Sequence, residues 1–149
     1  MALEDLYRDV ILDHYRNPRH RNPLDSPDAR AEGVNPLCGD EVTVELSLDG
    51  DTVSDISVHG QGCSISQSSA SMMSEAVKGK TLHEIGTLAE RFHAMMTAED
   101  ESEAGLDPSR PGSVLGDLEA LQGVRRYPVR IKCASLPWTT LEQSLEQTA

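Results

Sequence analysis

The sequence predicts an α+β fold in which a small antiparallel sheet of three strands is covered by helices. Residues 41–48 alternate Val42, Val44, Leu46 and Leu48 with Glu41, Thr43, Glu45 and Ser47, the period of a half-buried strand. Asp49-Gly50-Asp51 is a hairpin signal, and Val53 to Gly60 returns behind it. Several other stretches carry apolar residues at helical spacing. A sheet with one apolar face has to bury it, and helices are the available cover.

Leu3, Leu6, Val10 and Ile11, continued by Tyr7 and His14, predict a helix over 3–15, and Asn17-Pro18 stops it. Arg16 to Arg30 is polar with three prolines and is expected to be an irregular connector wrapped on the domain. A short strand over 33–37 is expected to join the hairpin. In the returning strand Val53 is out of phase with Ile56 and Val58. Gly60-Gln61-Gly62-Cys63 ends the sheet, and Ser64–Lys78 reads as a helix with Gly79 as its C-cap. Thr81-Leu82-His83-Glu84 is a capping box opening a helix to Thr97, with Leu82, Ile85, Leu88, Ala89, Phe92 and Met96 as its apolar stripe. Residues 99–112 are acidic and turn-rich and are expected to form an exposed loop. Ser113 is expected to cap a helix over 114–121. Tyr127-Pro128 is read as a break before Val129, Ile131 and Cys133, and a last helix is expected over 136–146.

With 149 residues the chain is expected to be one domain, 1–149. Aromatic residues are 3%, so the core has to rely on Leu, Ile, Val, Ala and the five methionines. The net charge of −12 argues against nucleic acid and against an anionic membrane surface as partners. No apolar run approaches a membrane span, and the first residues lack the pattern of a signal peptide. A cytoplasmic location is expected, where thiols stay reduced.

Three cysteines are too few and too odd in number for a disulfide framework, and in a reducing compartment they point to metal binding or thiol chemistry. The competing reading is that they are small buried hydrophobes. Cys38 lies in Pro36-Leu37-Cys38-Gly39-Asp40, Cys63 follows two glycines, and Cys133 ends Arg130-Ile131-Lys132-Cys133. Three thiolates and the Asp40 carboxylate can complete a tetrahedral zinc shell. The separations are long, so only a folded chain could gather them. Cys63 and Cys133 are both expected at or just before helix starts, where backbone N–H groups favour a thiolate. Four anionic ligands around a divalent ion leave negative charge, which Arg130 and Lys132 are expected to offset. A carboxylate among thiolates is the harder donor, and one exchangeable position suits a transfer protein more than a purely structural site.

These residues carry a resemblance. Leu6-Tyr7 through Asn17-Pro18, Asn35 to Asp40, Gly60 to Ser66, Ser69 to Met73, and Arg130 to Leu136 with Trp138 resemble the iron–sulfur scaffold superfamily, in particular its SufU-type sulfur-acceptor branch. The segment before Tyr127 resembles that branch, as does Lys132, where IscU-type scaffolds usually have histidine. The resemblance implies the SufE/IscU-like fold and zinc held by Cys38, Asp40, Cys63 and Cys133. It implies docking on a PLP-dependent cysteine desulfurase of the SufS type and work alongside other iron–sulfur assembly proteins. It implies that Cys38 leaves the zinc, replaced there by a histidine of the desulfurase, and takes sulfur from that enzyme's persulfide, with Arg130 in contact with the desulfurase. The alternative is a scaffold holding iron or a transient iron–sulfur cluster on the same cysteines.

An independent enzyme fits less well. A zinc deaminase needs H-x-E and P-C-x-x-C, which are absent. A cysteine hydrolase needs a positioned histidine, and His14, His20, His59, His83 and His93 show no ligand spacing to the cysteines. They are expected on the surface or in packing. Met72, Met73, Met95 and Met96 are expected in the core, and Arg16, Arg19 and Arg21 in a solvated loop.

Overall fold

The computed structural model describes residues 3–37, 39–98, 105–107, 109–110 and 112–147, with backbone alone for 3–6. Cys38 and much of the acidic 99–112 stretch lie outside the described residues. The order is α1 (Leu3–Arg16), β1 (Ala29–Asn35), β2 (Asp40–Asp49), β3 (Thr52–Gln61), α2 (Ser64–Val77), α3 (Leu82–Thr97), a 3₁₀ segment (Gly116–Arg126) and α4 (Pro128–Glu146). The sheet is antiparallel in the order β1-β2-β3, as the alternating pattern predicted.

Val42, Val44 and Leu46 of β2 point inward beside Val53, Ile56 and Val58 of β3, all buried. The phase problem at Val53 has a physical answer. Leu48 pairs with Val53 but Ser47 pairs with Asp55, so the extra residue Ser54 forms a bulge. The bulge resets the alternation and returns Val53 to the core face.

Helices α2 and α4 pack on the inner sheet face and on each other, while α1, α3 and the 3₁₀ segment lie over them. Met72, Met73, Met95 and Met96 are all at most 2% exposed and fill this interior. Trp138 is fully buried, its ring stacked on Phe92 at 4.9 Å and 19°. The Thr81 capping box is present, with Thr81 Oγ1 accepting from Glu84 N–H and the Glu84 carboxylate accepting from Thr81 N–H.

Three expectations need correction, and one is borne out in detail. The strand expected over 33–37 begins earlier, at Ala29, because β2 supplies partners from Leu46 to Asp40; the polar sequence of β1 hides this. The connector is irregular and lies on the domain, as expected. The His20 carbonyl accepts from Val58 N–H, Arg21 donates to the Gly60 carbonyl, and Arg19 pairs with Asp13 and Glu75. Ser113 does not cap the helix expected at 114. The Glu119 carboxylate accepts from the N–H groups of Gly112, Val114 and Leu115, and a 3₁₀ segment starts at Gly116. Finally, the break read at Tyr127-Pro128 is the start of α4, which runs through Pro137. Pro suits a first helical turn. Pro137 has no N–H for the carbonyl four residues back. The helix survives there in its packing against β1, β2 and α2, and Ser69 Oγ donates to the next carbonyl, that of Ala134, at 2.6 Å.

Both sheet edges carry further hydrogen bonds, β3 along much of its length and β1 at Arg30. The connector and the α2–α3 link bond along β3, and the Gln147 side chain donates to the Arg30 carbonyl and accepts from its N–H on β1.

Candidate metal centre

One end of the sheet carries the functional residues. Asp40 opens β2 on its inward face and is fully buried. β3 ends opposite it, with Gly60 paired to Val42 and Gln61 to Glu41, so the chain leaving β3 passes Asp40. Gly62 lies so close that a Cβ there would collide with Asp40 Oδ1 and with Ser66 Oγ. This is the approach the glycine permits.

Cys63 follows as the N-cap of α2, with extended dihedrals of −72° and 168°. Its N–H donates to Asp40 Oδ1 at 2.9 Å, and its Sγ lies 3.9 Å from Asp40 Oδ2. Ser66 Oγ lies 3.8 Å from the same sulfur and donates to the Cys63 carbonyl at 3.1 Å.

Cys133 enters from α4 and is fully buried. The helix begins at Pro128, so Cys133 is inside it and not at its start; the expected N-terminal stabilisation of its thiolate does not apply. Its sulfur lies 3.8 Å from the Val129 carbonyl and 3.9 Å from Asn35 Nδ2. The donor atoms of Asp40, Cys63 and Cys133 all fall within 4.8 Å of one another.

That set fits a divalent ion. A tetrahedral shell with bonds of about 2.0–2.3 Å holds its donors roughly 3.3–3.8 Å apart. Small side-chain shifts therefore suffice to close these three on one centre. Cys38, two residues before Asp40, lies outside the described residues.

Arg130 is exposed one turn before Cys133, and it reaches both sulfurs. Its guanidinium is held above its ordinary pKa by the charge of Cys63 first, then by a hydrogen bond to and the charge of Cys133, with a hydrogen bond to Cys63 after these. A cavity of about 640 Å³ beside Cys63 is walled by Arg126, Tyr127, Pro128, Val129 and Arg130. Lys132, expected beside Cys133, instead lines a separate groove with Val34, Pro36 and Leu37. Leu37, Val34, Tyr127 and Val129 are among the exposed large apolar residues, so the rim of this end is apolar.

The histidines stay away from the sulfurs in the described set. His14 is buried, bonded through Nδ1 to Ser71 Oγ and through Nε2 to Asp117, both at 2.8 Å. His59 faces Glu45, and His93 faces Glu142. Asn35, which the sequence presents only within the Asn35–Asp40 motif, joins the site through its contact with Cys133. The signal that could have found it is an Asn directly before Pro, where its side chain can accept from the backbone two residues on.

The fold and site thus define an α+β protein that presents a carboxylate and cysteine sulfurs for metal or thiol chemistry. The NifU-like N-terminal domain model matches residues 6–134, and the chain belongs to that family. It is 43% identical over 143 residues to the protein of Bacillus subtilis (strain 168) named zinc-dependent sulfurtransferase SufU, covering 96% of this chain and 91% of that one. It is 37% identical over 147 residues to the iron–sulfur cluster assembly scaffold protein IscU of Streptococcus pyogenes serotype M1, covering 99% and 87%. The crystal structure of FiSufU from Fervidobacterium islandicum AW-1 superposes with a TM-score of 0.81 at 33% identity, covering 97% of this chain and 99% of that one. The protein is therefore of the SufU/IscU type associated with iron–sulfur cluster assembly. Among the described residues no helix is long and apolar enough to cross a membrane.

Proposed function

We propose that this chain is a zinc-binding sulfur acceptor, which takes persulfide sulfur from a cysteine desulfurase and activates that enzyme. The observation that carries the reading is the convergence of Asp40, Cys63 and Cys133 within 4.8 Å, with Cys38 two residues from Asp40 along the chain. The Bacillus subtilis relative's name, a zinc-dependent sulfurtransferase, supports it. Zinc would be held by Cys38, Asp40, Cys63 and Cys133, and when bound it supplies the positive charge that keeps those thiols deprotonated.

Cys38 is the acceptor in this reading. Its thiolate attacks the outer sulfur of the desulfurase persulfide, and the S–S bond of that persulfide breaks. The desulfurase keeps a thiolate, and Cys38 becomes Cys38–S–SH. Sulfur and its proton move together, so no oxidant or reductant is consumed. The rate follows the thiolate fraction and access of the attacking cysteine. The apolar rim with exposed Arg130 suits a protein partner, a PLP-dependent cysteine desulfurase of the SufS type. Other iron–sulfur assembly proteins receive the sulfur. The cytoplasm, with its reduced thiols, is the compartment this chemistry needs. The whole of 1–149 acts as one domain.

The test pairs metal analysis with a desulfurase assay. The purified chain should be colourless and hold about one zinc. Cys38→Ser should abolish stimulation of the cognate desulfurase; full stimulation by that variant overturns the assignment. A second reading, assembly of a cluster on the same cysteines, is favoured by the relatives named IscU scaffolds. Stable iron and sulfide in a brown protein after anaerobic reconstitution would establish it instead.

A further inference from the structure

We propose that Asn35 is a positioning residue that ties the Cys133 sulfur to the loop carrying Cys38. The inference rests on the metal reading above and goes beyond it to a residue that is not a ligand. Asn35 ends β1, pairs with Asp40 in register, and is 7% exposed. Three of its groups are engaged. Its backbone carbonyl accepts from Gly39 N–H at 2.8 Å, which closes the turn between β1 and β2. Its side-chain Oδ1 accepts from Leu37 N–H at 3.2 Å. That bond fixes the amide orientation, so Nδ2 is the group facing Cys133 Sγ at 3.9 Å. One side chain thus grips the backbone just before Cys38 and donates an N–H to a sulfur nearly one hundred residues away in sequence.

A hydrogen bond to a thiolate withdraws electron density from sulfur and fixes its direction, and partners of this kind tune metal sites. Asn35 therefore holds Cys133 as the fixed donor while bracing the backbone at Leu37 and Gly39, on either side of Cys38 in sequence. The buried and doubly anchored Cys133 is the ligand that stays; Cys38 is the one that exchanges.

Two substitutions separate the two contacts. Asn35→Ala removes both. Asn35→Asp keeps an oxygen for the Leu37 amide but has no N–H for the sulfur. Wild type and both variants are loaded with cobalt(II), and the sulfur-to-cobalt charge-transfer band is recorded. Zinc release to a chromophoric chelator and thermal unfolding are followed in parallel. Both variants should move the band to lower energy and release zinc about tenfold faster or more. Asn35→Asp should do so while the metal-free chain unfolds as the metal-free wild type does, an outcome that a purely structural role does not produce. A band shift confined to one variant, or to neither, overturns the inference while leaving the metal reading intact. A wild-type chain that takes up neither metal overturns both.

Discussion

Cys63 and Cys133 reach the same centre by opposite means. Cys63 is presented by backbone: a strand end, a glycine pressed against Asp40, and the N-cap of a helix. Cys133 is presented by packing: it is a buried side chain within α4, whose place depends on the sheet and α2 beneath it. The first is local and half-buried, the second is long-range and sealed. The difference teaches that the site is hinged between a turn that sequence dictates and a helix that only the assembled core can position.

The strongest way to break that contrast is at the core beneath α4. Trp138→Ala removes a fully buried ring stacked on Phe92 and should cost about 3–5 kcal/mol in urea unfolding. Zinc retention should fall with it, because Cys133 loses its support while Cys63 keeps its own. Unaltered stability would refute the packing account of Cys133. Next in size is Gly62→Ala, whose Cβ meets Asp40 and Ser66. It should cost about 1–3 kcal/mol and loosen zinc through Asp40, read by calorimetry and by metal competition.

Arg130→Ala probes the charge shared by both sulfurs. It should weaken docking on the desulfurase about tenfold, or about 1.4 kcal/mol, while about one zinc stays bound. Titration of the desulfurase assay with the variant checks this. The smallest effect is expected far from the centre. Thr81→Ala removes one arm of the capping box of α3 and should cost about 1 kcal/mol, with zinc affinity unchanged.

The same contrast explains what could be read beforehand. The hairpin, the α3 capping box and the Cys63 turn were legible because their signals are local: alternation, Asp-Gly, Thr-x-x-Glu, and glycines before a helix. Asp40 was legible as a neighbour of Cys38 in one motif. The start of α4 was not, because Tyr127-Pro128 looks like a break until the helix has a surface to lie on. With that start misplaced, Cys133 is expected at a helix N-terminus with both Arg130 and Lys132 beside it, and of the two the structure keeps Arg130 on the sulfurs while Lys132 lines a separate groove. β1 was hidden for a related reason. Ala29 to Glu32 has little pattern of its own and becomes a strand because β2 offers partners. The contact of Asn35 with Cys133 joins residues from two such elements, so no local signal could announce it.

X-ray absorption at the zinc edge of the purified chain tests the central claim most directly. The account predicts one zinc with three sulfurs at about 2.3 Å and one oxygen at about 2.0–2.2 Å, the oxygen replaced or lost in Asp40→Ala. A zinc shell without sulfur, or a folded chain that takes up no zinc when supplied with it, would contradict the gathering of these distant residues on one ion.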